Sequence, residues 1–197
     1  MKNQKLQEFI VVVLAAGQGK RMGIPKVLAK YENKTFAEYI RDTLEMLDIT
    51  SLWVFSDKKI KDRTFDILKR DYPFIFNFQK NGDMFSSIVA ASFSQELSKK
   101  KYIFVLPVDF PFVSAPTFDL LIQQARVSAP KTDLLIPSYH GKKGHPVLLS
   151  VDFFTKAVSY IPKFGLKEIF EIFSPVTVFI ETKDPFILKN INKPSDF

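Results

Sequence analysis

Apolar residues run unbroken from Phe9 to Leu14, pass through Ala15 and Ala16, and give way to a loop holding Gly17, Gly19 and Gly23 with Lys20, Arg21 and Lys26. A run of that length without alternation predicts a strand buried on both faces, as in a parallel sheet. Similar runs recur at Ser51–Ser56, Phe74–Phe78, Tyr102–Pro107 and Leu134–Pro137. Shorter ones at His145–Leu149, Val176–Glu181 and Phe186–Ile191 predict further strands, and Val27–Tyr31 a short extended piece. Between them the spacing turns helical. Phe36, Ile40, Thr43, Leu44 and Leu47 share one face of a helix over Phe36–Leu47, with Thr35 as N-cap and Glu38 completing a capping box. Further helices are expected near Lys59–Arg70, over Phe85–Leu97 entered through Ser86 and Ser87, after Ser114, and over Val151–Ile161 and Leu166–Phe173. Ser138–Gly144 reads as a polar loop.

Strand–helix alternation over most of the chain predicts an α/β fold, a three-layer sandwich around a mainly parallel, Rossmann-like mixed sheet. The 197 residues suffice for one domain, taken as 1–197, with a possible flap at about 138–173. No repeat or linker interrupts them.

Composition narrows the function classes. Hydrophobic residues make up 46%, which is globular rather than disordered. No apolar run reaches membrane-span length and residues 1–8 lack a signal-peptide core, so no membrane association is expected. Cysteine is absent, which removes disulfides and thiolate metal sites and fits a cytoplasmic location. The net charge of +7 comes from dispersed lysines, not a basic stripe interleaved with aromatics, so no nucleic-acid partner is expected. Twenty-one phenylalanines exceed what a core of this size needs, and the surplus leaves both a monomer and a homodimer open.

The chemistry gathers on the first loop. Glycines at the carboxyl end of a buried strand let backbone N–H groups approach an anion, and the cations supply charge, so a phosphorylated ligand is expected there. Met22 stands where a dinucleotide fingerprint or a Walker A loop needs glycine, which excludes both. Pro25 delays any helix, so the loop is long. Asp109, just past Tyr102–Pro107, is either a strand-end turn residue or a hard oxygen donor of the kind Mg²⁺ takes beside phosphate oxygens. Ser86 and Ser87 open a helix, either as side-chain caps of its N-terminus or at a start whose free N–H groups contact an anion or nucleotide. His145, between Gly144 and Pro146, has the setting of a structural histidine.

With these residues in view, the loop from Leu14 to Lys26 resembles the signature of GT-A-like nucleotidyltransferases. It is closest to the molybdenum-cofactor cytidylyl- and guanylyltransferases, through Leu14, Ala15, Ala16, Gly17, Gly19, Arg21, Met22, Gly23 and Lys26. Four more stretches follow in that family's order. Asp109, Pro111 and Phe112 align with its metal-binding Asp motif, with Pro107–Val108 where members often carry a residue followed by Gly. Ser87 and Ile88 fit the segment facing base and sugar, with Asp83 as an insertion-like difference. Gly144–His145–Pro146–Val147 is similar to the cytidylyltransferase branch, and Asn190–Ile191–Asn192 resembles the guanylyltransferase form of the terminus, with Lys193 in place of Thr.

The resemblance implies an enzyme that moves a nucleoside monophosphate from an NTP to a phosphorylated acceptor. CTP is favoured over GTP, and molybdopterin cytidylyl transfer is the leading form. By it, Leu14, Ala15, Ala16, Gly17, Gly19 and Ser87 bind the nucleotide, and Arg21 and Lys26 hold its phosphates. Asp109 with Asn192 holds Mg²⁺, or Mn²⁺ in its place, and His145 lies on the acceptor side. Another sugar-phosphate or small-phosphate nucleotidyltransferase of this fold, and a non-catalytic nucleotide-binding partner in cofactor insertion, are the alternatives.

Overall fold

The computed structural model describes residues 6–19, 22–79, 83–128, 132–160, 162 and 166–196. Its centre is a mixed sheet built from β1 (Phe9–Leu14), β4 (Ser51–Phe55), β5 (Phe74–Phe76), β6 (Tyr102–Pro107), β7 (Leu134–Tyr139), β9 (Val147–Ser150) and β10 (Thr177–Glu181), in the order β10-β7-β9-β6-β1-β4-β5. β1 pairs in parallel with both β4 and β6, and β4 with β5 and β7 with β10 do likewise; β9 alone runs antiparallel to its two neighbours in this row. A short strand, β8 (Lys142–Lys143), folds back on the end of β7, and β2 (Lys30–Tyr31) and β3 (Lys34–Thr35) form a separate two-stranded ribbon.

Among the described residues, helices α1 (Phe36–Met46), α2 (Lys58–Leu68), α3 (Met84–Ser92), α4 (Ala115–Val127), α5 (Val151–Ser159) and α6 (Leu166–Phe173) cover the sheet. Every residue of β1 is buried, and its side chains alternate between two cores. Phe9, Val11 and Val13 join Trp53, Phe55, Phe104 and Leu106 under α1, α2 and α4. Ile10, Val12 and Leu14 join Leu52, Val54, Ile103 and Val105 under α3, α5 and α6. A strand with helices on both faces has no solvent side, which is why its sequence is apolar at consecutive positions. The architecture is the expected three-layer α/β sandwich.

Most elements lie where periodicity places them, and α1 has the expected capping box: Thr35 accepts from the Glu38 N–H while the Glu38 carboxylate accepts from the Thr35 N–H. Four differences have physical causes. Pro25 leads into a 3₁₀ turn at Lys26–Leu28, so the extended piece shrinks to β2. α3 is capped by Asp83, whose carboxylate accepts from the Ser86 N–H, and it stops at Ser92; Gln95–Leu97 is a separate 3₁₀ turn. The polar stretch after Pro137 continues β7 to Tyr139 and turns through His140 and Gly141, both at positive φ, into β8. The stretch 138–173 thus supplies β9 to the interior of the sheet, and α5 and α6 to one face.

The fourth difference concerns the expected late strand at Phe186–Ile191, which is a 3₁₀ turn, Pro185–Leu188. Asp184 directs it. Its buried carboxylate accepts from the Phe186 N–H on its own turn, and from Ser114 N–H, Ser114 Oγ and Thr117 Oγ1 at the start of α4. Ser114 is the N-cap residue of α4, but the acceptor that satisfies the helix start is Asp184, seventy residues away. Four donors lose their partner together if that carboxylate goes. Asp184→Ala is expected to cost about 2–4 kcal/mol in urea unfolding, since each orphaned buried donor costs about 1–3 kcal/mol and the losses overlap.

Candidate active site

The register of β1 on β6 sets the site. Leu14 stands opposite Pro107, so the chain leaves both strands at the same level, one into the glycine loop and the other into Val108–Asp109. The Val108 N–H extends the ladder to the Leu14 carbonyl at 3.2 Å, and the Ala15 N–H does the same to Val54 at 2.9 Å. Ala15 is buried there, and Ala16 and Gly17 begin the loop. The loop closes on itself: Met22 N–H donates to the Gly19 carbonyl at 2.8 Å, and Lys26 N–H to the Gly17 carbonyl at 3.3 Å.

The two first glycines differ in what they are for. Gly19 has φ +60, and a Cβ there would stand 1.9 Å from the Ile24 carbonyl oxygen, so the loop's own packing demands glycine. A Cβ on Gly17 would only touch Lys26 Cδ at 3.8 Å, an ordinary contact. Gly17 is free to be glycine for the sake of whatever approaches it.

The 3₁₀ turn after Pro25 carries Lys26 across to Asp109. Its ammonium lies 2.6 Å from Asp109 Oδ2 and donates to Asn192 Oδ1 at 2.8 Å. Lys26 and Asp109 side chains are only 16% and 15% exposed. The carboxyl-terminal segment reaches this point because Ile191 is buried and its N–H donates to the Asp109 carbonyl at 2.8 Å. Asp196 then fixes the turn, accepting from the N–H groups of Asn192 and Lys193 at 2.8 and 3.0 Å. Asn192 Nδ2 donates to Asn190 Oδ1 at 2.6 Å. Residues 83 and 166 positions from Lys26 thus meet on one ammonium group.

A cavity of about 290 Å³ opens beside this cluster. Of the residues expected from the sequence, Leu14, Ala16, Gly17, Lys26, Ser87, Asp109 and His145 line it, together with Asn190. Ala15 and Gly19 support the loop from behind. Arg21, Lys20, Asn81 and Gly82 lie outside the described residues. Ser87 is buried in the first turn of α3, and its hydroxyl accepts from Asn77 Nδ2 at 2.9 Å. Asn77 also donates to Ser86 Oγ at 2.9 Å, so it orients both serines. Sequence reading assigned no role to Asn77, or to Asp196 within the terminal stretch that resembles the family. A polar residue closing the Phe74–Phe76 run was the available signal for Asn77; nothing local marks Asp196.

His145 is held by its backbone and by a tilted ring contact. A Cβ on Gly144 would meet the Ile187 carbonyl at 2.4 Å, and the His145 N–H donates to that same carbonyl at 3.0 Å. The ring lies 4.6 Å from that of Phe110. Burial pushes the imidazole pKa below its ordinary value, against the opposite pull of Asp109 and of a hydrogen bond to the Val105 carbonyl. Its Nδ1 is buried without a hydrogen-bond partner.

The donor set suits a hard divalent cation. Asp109 offers a carboxylate and Asn192 an amide oxygen, and both already hold a cationic group. Mg²⁺ and Mn²⁺ take few protein ligands and complete their shell with water and phosphate oxygens. Among the described residues no group of three His, Cys, Asp or Glu could hold a metal by itself.

A profile described as a MobA-like NTP transferase domain matches residues 11–177. The chain belongs to the MobA-like NTP transferase family, a family of nucleotidyltransferases. Among its relatives, a protein of Bacillus cereus (strain AH187) called a probable molybdenum cofactor guanylyltransferase is 27% identical over 142 residues. The match covers 70% of this chain and 66% of that protein, just under two thirds of its length. The fold is shared with Rv0371c of Mycobacterium tuberculosis in complex with manganese, with TM-score 0.75, 17% identity, and 96% and 95% of the two chains covered. It is shared too with a molybdopterin-guanine dinucleotide biosynthesis protein A of Archaeoglobus fulgidus, with TM-score 0.67, 21% identity, and 95% and 94% covered. No helix among the described residues is long and apolar enough to cross a membrane.

The two glycines give a test that needs no substrate. Gly19→Ala is expected to lower stability by about 1–3 kcal/mol, from positive φ and the clash with Ile24. Gly17→Ala should stay within about 0.5 kcal/mol of the parent. Chemical denaturation of both variants side by side checks this.

Proposed function

We propose that this protein transfers a nucleoside monophosphate from an NTP to a phosphomonoester acceptor and releases pyrophosphate. The observation that carries the reading is the Lys26 ammonium held between Asp109 and Asn192 at the mouth of the glycine loop. An oxygen of the acceptor phosphate forms a bond to the α-phosphorus of the NTP. The bond from that phosphorus to the β-phosphate bridge breaks, and pyrophosphate leaves with the electron pair. The acceptor phosphate is already ionised near neutral pH, its second pKa being about 6, so no general base is needed. The protein's task is alignment and charge neutralisation.

Each residue takes a part of that task. Gly17 and Ala16 let the backbone approach the phosphates. Lys26, whose ammonium already faces two oxygens, exchanges them for phosphate oxygens when a triphosphate arrives, and Arg21 adds a second cation from the same loop. Asp109 and Asn192 would hold Mg²⁺ or Mn²⁺, which supplies neutralisation of phosphate charge when bound. Ser87, oriented by Asn77, faces the nucleoside. Residues of the 138–173 stretch, His145 among them, form the acceptor side. The chain as one catalytic domain is part of the proposal.

Two features bear on the nucleotide and the acceptor. Gly144–His145–Pro146 supports CTP, whereas the relatives' names and the Asn190–Ile191–Asn192 terminus support GTP. The relatives' names also nominate a molybdopterin phosphate as acceptor. A small alcohol phosphate is the second reading, favoured by the apolar surroundings of His145.

Pyrophosphate release is the decisive measurement. Asp109→Asn should lower it by at least about 10²-fold while the variant unfolds cooperatively like the parent. Pyrophosphate release undiminished in Asp109→Asn removes the aspartate from the mechanism. NTP binding without release for any acceptor, molybdopterin included, replaces catalysis with the binding role. With Mg²⁺ present, CTP is expected to raise the melting temperature more than GTP at equal concentration; the reverse order assigns guanine.

A further inference from the structure

Asp109 and Asn192 have the donor types of a cation site, yet oxygens of both already face a cation. The Lys26 ammonium lies 2.6 Å from Asp109 Oδ2 and 2.8 Å from Asn192 Oδ1. Asn192 has one side-chain oxygen, and the amide is kept from turning because Nδ2 donates to Asn190 Oδ1 at 2.6 Å. A divalent cation held by Asn192 must therefore share that oxygen with the ammonium. At the metal–oxygen distance of about 2.1 Å that Mg²⁺ takes, it would lie within about 5 Å of Lys26 Nζ from any direction of approach. A monovalent and a divalent cation that close, on one carboxylate mostly shielded from water, repel strongly.

The surrounding backbone leaves one part to move. The Ile191 N–H donates to the Asp109 carbonyl, and Asp196 accepts from the Asn192 N–H, each at 2.8 Å. Across the cluster, the Lys26 N–H donates to the Gly17 carbonyl at 3.3 Å and the Ala29 N–H to the Lys26 carbonyl at 3.0 Å. Both sides are tied, so the flexible stem of Lys26 is what can swing. That stem runs past Gly17, where a Cβ would touch Lys26 Cδ at 3.8 Å. A phosphate against the Gly17 backbone is within the sweep of the ammonium and offers it new oxygens. A bare metal ion offers the lysine nothing to move to, and so gives no differential contact that would shift it.

We propose that Lys26 is a resident counter-cation that keeps a divalent metal off Asp109 and Asn192 until a triphosphate draws its ammonium away. Metal and nucleotide then enter the site only together. The inference rests on the nucleotidyl-transfer reading for the nature of the triphosphate, and adds an order of events to it: the metal arrives with the nucleotide, not ahead of it. Lys26 is a lock on the metal site as well as a phosphate ligand.

Mn²⁺ binding to the whole chain tests this, read by calorimetry and by NMR of the side-chain amides. With no nucleotide added, Lys26→Met is expected to bind Mn²⁺ at least tenfold more tightly than the parent, and adding Asp109→Asn to that variant should remove the gain. If Lys26→Met does not unfold cooperatively, Lys26→Gln, also neutral, takes its place. In the parent, Mn²⁺ alone should leave the Asn192 amide signals sharp, and Mn²⁺ with a non-hydrolysable NTP analogue should broaden them. Equal Mn²⁺ affinity in parent and variant, or a gain that survives Asp109→Asn, overturns the lock. Asn192 signals broadened by Mn²⁺ alone overturn it too, as do signals that stay sharp with the analogue added. Pyrophosphate release by a parent that binds Mn²⁺ alone leaves nucleotidyl transfer standing and removes the lock. A working lock without release from any acceptor does the opposite.

Discussion

The parallel pairing of β1 with β6 is the constraint on which the site depends. Both strands are apolar almost throughout, and both are covered by helices on two faces, so only the middle of a sheet can accommodate them. A slip of one residue would exchange the faces on which their side chains lie and break both cores. The register is therefore strongly specified, and it brings the glycine loop and Asp109 out of the sheet at one level. The placement of the two loops is inherited from burial in the strands.

On that frame the Lys26–Asp109–Asn192 cluster makes one unit of what could have been two. A lysine ammonium satisfies a carboxylate and an amide oxygen that are mostly shielded from water. Charges so placed are costly unless paired, and the pairing keeps the site assembled before any ligand arrives. On the proposed function, a triphosphate with its metal would offer each partner a replacement: phosphate oxygens for the ammonium, a divalent cation for the oxygens. On the proposed reading, the same three residues serve stability without ligand and neutralisation with it.

A pocket of about 310 Å³, open to solvent on one side, lies between the sheet and one of its helical layers. Its walls come from the amphipathic helices α3, α5 and α6, which cover the sheet as expected but leave a gap beside His145. The phenylalanine surplus that suggested a dimer face is partly accounted for here, since Phe85, Phe153, Phe154 and Phe170 all border that gap. Other phenylalanines, Phe78 and Phe93 among them, remain exposed.

Consecutive apolar residues, helical spacing and one capping box were enough to name most strands, most helices and the layered α/β class, because these features act within a few residues of one another. The glycine loop and Asp109 could be named as candidates from residue type, and His145 and Asn192 through the family resemblance, each as a separate position along the chain. Their meeting could not be read this way. That Lys26 lies on Asp109 and Asn192, that Asp184 rather than Ser114 satisfies the start of α4, that Asn77 orients Ser87 and that a 3₁₀ turn replaces the strand expected at Phe186–Ile191 all depend on contacts between distant segments. A hydrogen bond between residues 166 positions apart leaves no periodic trace in the chain; it exists because buried strands fix where loops emerge, and only then can polar groups at their ends find each other.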